Sequence, residues 1–487
     1  MNYKMLWRFL ALILAVEAVF MLPAVGISIF DGTVKTTQAF LISIAIIGAL
    51  ATFLALLSRG AQKRFFAKEG LVCVGVSWIT ISVLGCLPFF FSGEIPRFVD
   101  ALFEMVSGFT TTGSSVVSDV EALSRAVLYW RSFSQWLGGM GVLVFLLALI
   151  PVSGKNEGFT MHLLRAESPG PTVGKLVPKM RESAMVLYLS YFALTVLAFV
   201  FLLFDKEMPT FEALCTAFST AGTGGFGIKN DSMASYTPYV QNVCTVFMLL
   251  FGVNFSCYYL LLLRQFGAVL RDEELRLYLG VVFGSIALIT LNIFRMYGSV
   301  WEALRHAAFQ VSSVMTTTGF STVDFDLWPS FSKGILLILM MFGACAGSTG
   351  GGIKCARILL LLKGVRRNLA QIVKPQKVEV IRVNRKPVDE KVLSNTNAYL
   401  AAYVLILVVS FFLISVDGFS VTTNFSAVLS CFNNIGPGLE AVGPSCNFSI
   451  YSPFSKLILI LNMLAGRLEI FPILVLFSAG RAGRRSD

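Results

Sequence analysis

Histidine is nearly absent from this sequence, and charge is scarce. Two histidines among 487 residues leave little from which to build an imidazole metal site or an acid–base pair. Nine cysteines are scattered, mostly inside apolar runs and without CxxC spacing, so zinc and dithiol redox motifs are missing as well. These thiols read as buried and free; Cys431 and Cys446 flank one loop and could pair, but nothing in the sequence demands it. No nucleophile motif, cofactor loop or His/Cys/Asp cluster survives inspection, which argues against an enzyme. Charged residues make up only 14% of the chain against 56% hydrophobic ones, with a mean hydropathy of +0.75, a balance that excludes an ordinary water-soluble domain. The net charge of +11 lies in short loops between apolar runs rather than on one face, so it does not mark nucleic-acid binding.

What is present instead is apolar length. Runs at 37–58, 184–204, 243–263 and 398–416 are each long enough to cross a hydrocarbon core of about 30 Å as a helix. The stretch 6–30 is too long for a short cleavable signal and leads into a second span, so it is expected to stay in the mature protein. Basic residues fix the orientation. Lys4 and Arg8, Arg59 to Lys68, Lys155 to Arg181, Arg264 to Arg276, Lys363 to Lys391 and Arg481 to Arg485 mark inner segments, and stretches poor in Lys and Arg alternate with them. The alternation predicts ten crossings with both termini in the cytoplasm.

Four outer segments share one pattern: a short apolar helix too brief to span, a Thr/Asn/Gly loop, and a polar stretch before the next span. FVDALFEMVSGFTTTGSS passes Thr111, Thr112 and Gly113; FEALCTAFSTAGTGGFG passes Thr223, Gly224 and Gly225. WEALRHAAFQVSSVMTTTGFST passes Thr317, Thr318 and Gly319, and the looser TTNFSAVLSCFNNIGPGL passes Asn434, Ile435 and Gly436. The glycines are 112, 94 and 117 residues apart, room for a loop and two spans each time. A second register agrees with the first: YTPYV, LWPSF and YSPFS put Pro238, Pro329 and Pro453 where a helix would begin, and Gly252, Gly343 and Gly466 follow after 14, 14 and 13 residues. The first unit lacks this proline but has Gly138, Gly139 and Gly141 in its following span.

A loop that re-enters the membrane carries backbone polar groups that are tolerated only where they are buried in protein or line an aqueous path. Rings of carbonyl oxygens from four such loops can replace the hydration shell of a cation. Glycine supplies the positive dihedrals that aim carbonyls together, and the short helices turn their negative ends to the same point. One TTTG alone would read as an ordinary turn; four equivalent occurrences do not. Carbonyl rings coordinate both sodium and potassium, so the residues alone leave the ion open.

FTTTGSS at 109–115, GTGGFG at 222–227, TTTGFST at 316–322, NNIGPGLEAVGP at 433–444, GACAGSTGGGIK at 343–354 and AGRLE at 465–469 make the chain similar, over almost its whole length, to the membrane subunit of bacterial Trk potassium-uptake systems. The resemblance is to the TrkH type within the Trk/Ktr/HKT superfamily, whose Trk branch is matched by the two spans before Lys68. It implies an all-α polytopic membrane protein of the bacterial inner membrane. Four M1–pore helix–M2 repeats in pseudo-fourfold arrangement would follow two extra transmembrane helices: 1–67, then repeats at 68–153, 154–264, 265–374 and 375–487. It further implies K+ bound in a filter at Gly113, Gly225, Gly319 and Gly436, with carbonyls at Thr111, Thr112, Thr223, Gly224, Thr317, Thr318, Asn434 and Ile435; the register of the glycine-rich second loop is open. A lipid-embedded homodimer with one pore per protomer and a cytosolic TrkA-type nucleotide-binding ring are implied too.

Gly343, Gly347, Gly350, Gly351 and Gly352 interrupt a span that would otherwise run from 335 to 362, where a helix cannot easily persist. A P-loop reading fails, because Lys354 lies seven residues after Gly347 without the following Ser or Thr. The resemblance makes this segment, with Lys354 at its end and Arg467 of the last span, 457–477, the gate; the alternative for Arg467 is a pair with Glu469 or another helix that only holds the bundle. A symporter coupled to protons or sodium is the rival function. It would need carboxylates at a central site, whereas Glu104, Glu212, Glu302 and Glu440 are expected beside the pore helices, near the outer mouth.

Overall fold

A computed structural model describes residues 3–60, 67–141, 180–376 and 379–482. Apart from a hairpin of two short strands, Arg382–Val383 and Lys386–Pro387, the regular structure there is helical. Among the described residues, six spans are long and apolar enough to cross a membrane: Tyr3–Phe30, Val34–Leu57, Glu69–Ser92, Ala184–Leu203, Glu273–Met296 and Glu390–Asp417. They cover, to within one residue, the runs expected at 37–58, 184–204 and 398–416. The first two pack along each other, joined by a tight turn through Gly32, whose φ is +69°.

Four short helices fill the interior between the spans: Phe98–Phe109, Thr210–Gly222, Val300–Met315 and Val421–Asn433. At about 1.5 Å per residue they are too short to cross a hydrocarbon core of about 30 Å. Asp100, Glu212 and Glu302 lie in the first turns of three of them, and the hydroxyls of Ser299 and Ser420 cap the last two. Both devices satisfy the positive N-terminal end, where the first amides have no helical partner.

Each short helix is followed by an outgoing one: Arg125–Gly139, Pro238–Phe251, Ser330–Met341 and Pro453–Arg467. Pro238 and Pro453 open their helices and Pro329 is an N-cap, where a missing amide costs nothing. The break expected in the third is present, with no helix from Phe342 to Lys354. Two further breaks correct the sequence reading. The expected span 243–263 bends by 89° between Phe251 and Phe255, where the Asn254 side chain accepts the Ser256 amide at 2.9 Å and starts a new helix. The expected span 457–477 is broken after Arg467, with Glu469 and Ile470 at φ of +53° and +67°. A hydropathy average hides both, because the polar Asn254 and the charged Arg467 and Glu469 are few within long apolar windows. The continuation of the first outgoing helix, Lys63, Arg64, Lys155, Arg165, Lys175, Lys179, Arg484, Arg485 and the boundary at 153–154 lie outside the described residues.

Glycines set how closely these layers approach. A Cβ on Gly138 would stand 1.8 Å from the Phe109 carbonyl oxygen, one on Gly222 2.3 Å from that of Gln135, and one on Gly466 1.9 Å from that of Phe432. The outgoing helices therefore lie directly on the ends of the short ones. All nine cysteines are free, eight of them buried. Gly466→Val is expected to destabilise the protein by at least about 1–3 kcal/mol through overpacking, read as a lower thermal midpoint in detergent. Gly280→Val, at a position with nothing within 4 Å, leaves the midpoint in place.

Candidate ion filter and gate

The four short helices end alike. Thr111, Thr223, Thr317 and Asn434 adopt left-handed φ values of 54°, 51°, 59° and 57°. The amide of each bonds three residues back, to Gly108, Thr220, Val314 and Cys431, and the next amide bonds five back, to Ser107, Ser219, Ser313 and Ser430. This is a Schellman-type C-terminus, which uses up the helix's last free carbonyls. A β-branched residue rarely takes this conformation, at a cost of about 1–2 kcal/mol, yet three of the four are threonine. Two residues on, Gly113, Gly225, Gly319 and Gly436 take φ of 83°, 78°, 84° and 107°. The repeated pair of positive angles gives the second loop its register: Gly225, not Gly224, corresponds to the other three glycines.

These glycines are required for space as well as for φ. A Cβ on Gly113 would stand 2.2 Å from the Gly224 carbonyl oxygen, on Gly225 2.0 Å from that of Thr318, on Gly319 1.9 Å from that of Ile435, and on Gly436 3.0 Å from that of Thr112. Each loop abuts the next, and the fourth returns to the first. All four glycines line one cleft. The carbonyls of Thr111, Thr112, Thr317, Thr318, Asn434 and Ile435 accept no hydrogen bond from the described residues. Gly224 differs, because the buried Gln135 side chain donates to its oxygen at 2.7 Å and takes the Phe226 amide at 3.1 Å. Side chains brace the ring: Thr110 to Thr112 and Thr316 to Thr318 at 2.8 Å, and Asn434 to the Thr112 hydroxyl at 3.0 Å. Beyond the fourth loop, Glu440 is held ionised, its carboxyl lowered from the ordinary range by the Ser420 hydroxyl.

The interrupted segment lies against this ring. The Gly351 amide donates to the Thr317 hydroxyl at 2.6 Å, and a Cβ on Gly351 or Gly350 would stand 2.5 Å from the Asn433 or 3.0 Å from the Thr316 carbonyl oxygen. Gly347 and Gly352 have φ of 71° and 67°. Most backbone groups of the segment are matched. Gly343 donates to Ile353 at 2.7 Å, Cys345 to Gly252 at 3.1 Å and Phe255 to Gly347 at 3.1 Å, so the bend of the second outgoing helix provides partners for the break in the third. The buried Lys354 ammonium bonds the Gly350 carbonyl.

Arg467 reaches the same segment. It donates to the Thr349 carbonyl at 2.9 Å and to the carbonyls of Gly138 and Gly139, joining the break to the end of the first outgoing helix. The internal Arg467–Glu469 pair does not form: Glu469 pairs with Arg357, whose guanidinium lies 4.0 Å from the centre of the Tyr399 ring. Glu104, on the first short helix, is fully buried.

Sequence reasoning missed Gln135, Arg357 and Glu274. One carboxylate oxygen of Glu274 accepts the amides of Ala346, at 2.6 Å, and Ala356, at 3.0 Å, on the two sides of the break. In sequence it sits among Asp272 and Glu273 at a helix start, where acidic residues are commonplace; only its burial, at 6% exposed, separates it from them.

The helical spans, the ring of four re-entrant loops and the interrupted helix beneath it define a polytopic membrane transport protein. The TrkH family model, described as cation transport protein, matches residues 36–482. The chain is 36% identical over 98% of its length, and 99% of the relative's, to the Trk system potassium uptake protein TrkH of Salmonella typhimurium. It is 33% identical, over 86% of each chain, to the Trk system potassium uptake protein TrkG of Escherichia coli K12. The crystal structure of the potassium transporter TrkH from Vibrio parahaemolyticus superimposes with a TM-score of 0.87 at 30% identity, covering 98% of both chains. The chain belongs to the TrkH family, a family of transport proteins rather than of enzymes.

Glu274→Ala is expected to leave two buried amides without an acceptor, at about 1–3 kcal/mol each. Hydrogen exchange in peptides spanning 343–356 then accelerates about tenfold or more, whereas Glu274→Gln, which keeps an acceptor oxygen, stays close to the parent.

Proposed function

We propose that this protein takes up potassium across the bacterial inner membrane through a channel-like pore. The observation that carries the reading is the closed ring of four loops with matching positive-φ pairs and, in three of them, carbonyls without donors among the described residues. Groups of this kind at membrane depth call for a cation or water. The four helix C-termini converging there add about half a negative charge each. Thr111, Thr112, Thr223, Gly224, Thr317, Thr318, Asn434 and Ile435 offer their carbonyls to K+, with Gly113, Gly225, Gly319 and Gly436 making room, in pseudo-fourfold repeats at 68–153, 154–264, 265–374 and 375–487 after the helices of 1–67. The names of the relatives support potassium as the ion.

The gate is the segment carrying Gly343, Gly347, Gly350, Gly351 and Gly352, with Lys354 and Arg467 holding it beneath the filter. A TrkA-type cytosolic ring would act on it from the inner face, and the protein would work as a homodimer with both termini in the cytoplasm. A route for such control runs through the hairpin. Asn384 at its turn bonds Asp272 at 2.7 Å and the Glu273 amide at 2.9 Å, next to Glu274 and its two gate amides.

Isotope uptake into proteoliposomes tests the reading. Uptake follows the potassium gradient without a proton or sodium gradient and prefers potassium to sodium; Gly113→Val, which drives a side chain into the Gly224 carbonyl, lowers it at least about tenfold. A sodium preference, a need for a coupling gradient, or an indifferent Gly113→Val sinks it. Arg467→Ala removes charge-assisted hydrogen bonds of about 1.5–3 kcal/mol and raises flux without the ring about tenfold or more. Unchanged flux with and without the ring removes Arg467 from the gate.

A further inference from the structure

We propose that the buried Glu104–Arg131 pair is a specificity-determining clamp that holds the outgoing limbs of the first and second loops in mutual register, and with them the preference for potassium. The inference rests on the filter reading above. Glu104, on the first short helix, is 0% exposed and Arg131, on the outgoing helix behind it, 2%. Arg131 donates to one Glu104 oxygen through Nε at 2.8 Å and approaches it through Nη2 at 2.6 Å. The carboxylate also accepts the Ser115 hydroxyl, at 3.0 and 3.1 Å, and the Val116 amide at 3.0 Å. Those residues leave the ring directly after Gly113 and Ser114.

The guanidinium reaches the neighbouring loop on its other side. Its carbon lies 4.2 Å from the centre of the Phe226 ring, and Nη1 donates to the Gly227 carbonyl at 3.4 Å. Phe226 and Gly227 leave the ring directly after Gly225. A planar, fork-shaped cation can hold a carboxylate, a ring face and a carbonyl in fixed relation, which an ammonium cannot. The pair also belongs to one quadrant only. Glu104 stands seven residues before the left-handed Thr111; the same position before Thr223, Thr317 and Asn434 holds Thr216, Gln310 and Ala427, none of them charged. Arg131 lines the cleft shared by the four glycines, so Glu104 also cancels a positive charge that would repel entering cations.

The two roles separate by experiment. Glu104→Gln and Arg131→Gln leave opposite charges behind but break the same clamp. In full-length protein reconstituted in proteoliposomes, with potassium and sodium uptake measured in competition, both variants are expected to lower the potassium-to-sodium ratio in the same direction, by about tenfold, or about 1.4 kcal/mol. Arg131→Lys keeps the charge without the fork; it lowers the ratio as well and serves if the neutral variants do not fold, as judged by size exclusion and melting in detergent. Opposite changes in rate with an unchanged ratio, or a folded Arg131→Lys with parental selectivity, overturn the clamp. A parent protein with no potassium preference, or indifferent to Gly113→Val, overturns the filter reading instead.

Discussion

Everything distinctive in this molecule follows from the ending of four helices inside the membrane. A helix that stops at that depth leaves carbonyls without partners, and lipid offers none. The chain answers each time with a left-handed residue, Thr111, Thr223, Thr317 or Asn434, that folds the next amides back onto the helix. That turn satisfies the helix and leaves the following carbonyls to the ring. The conformation is costly for threonine, so the strain is held by packing: hydroxyl bridges within the loops and glycine contacts between them.

Beneath the ring the same difficulty has the opposite solution. The segment around Gly343 to Gly352 is also irregular backbone at depth, but its groups are bonded to Gly252, Phe255, Glu274, Thr317 and Arg467. Bonded groups of this kind keep a segment in place without offering oxygen to an ion. The breaks in the second and fourth outgoing helices belong to this scheme, since the second supplies partners at 251–255 and the fourth ends at Arg467.

Much of this is legible in the sequence. The four loops announced themselves because a Thr/Gly pattern and a Pro-to-Gly spacing recur together, and both have direct backbone meaning: positive φ and helix start. The spans followed from hydropathy. What stayed hidden was whatever depends on partners distant in the chain. The bend at 252–254 and the break at 468–470 hold single polar residues, Asn254 and Glu469, too few to end an apolar run. Glu274 looks like a helix-start acid until its burial is seen, and Gln135 is one polar residue in a helix of aromatics. Arg467 is conspicuous in sequence as a charge in an apolar run, but sequence does not show that it bonds three backbone carbonyls while Glu469 pairs with Arg357.

The four loops lie on one polypeptide and are not copies. Gly224 shares its oxygen with Gln135, Asn434 and Ile435 replace two threonines, and the Glu104–Arg131 pair stands beside the first and second loops, with no charged residue at the position equivalent to Glu104 in the other three units. In a pore assembled from four identical subunits a single codon change alters every side of the aperture at once. In the pore proposed for this chain it would alter one side, so selectivity could be adjusted during evolution in quarter steps, each tried while three walls stay as they were.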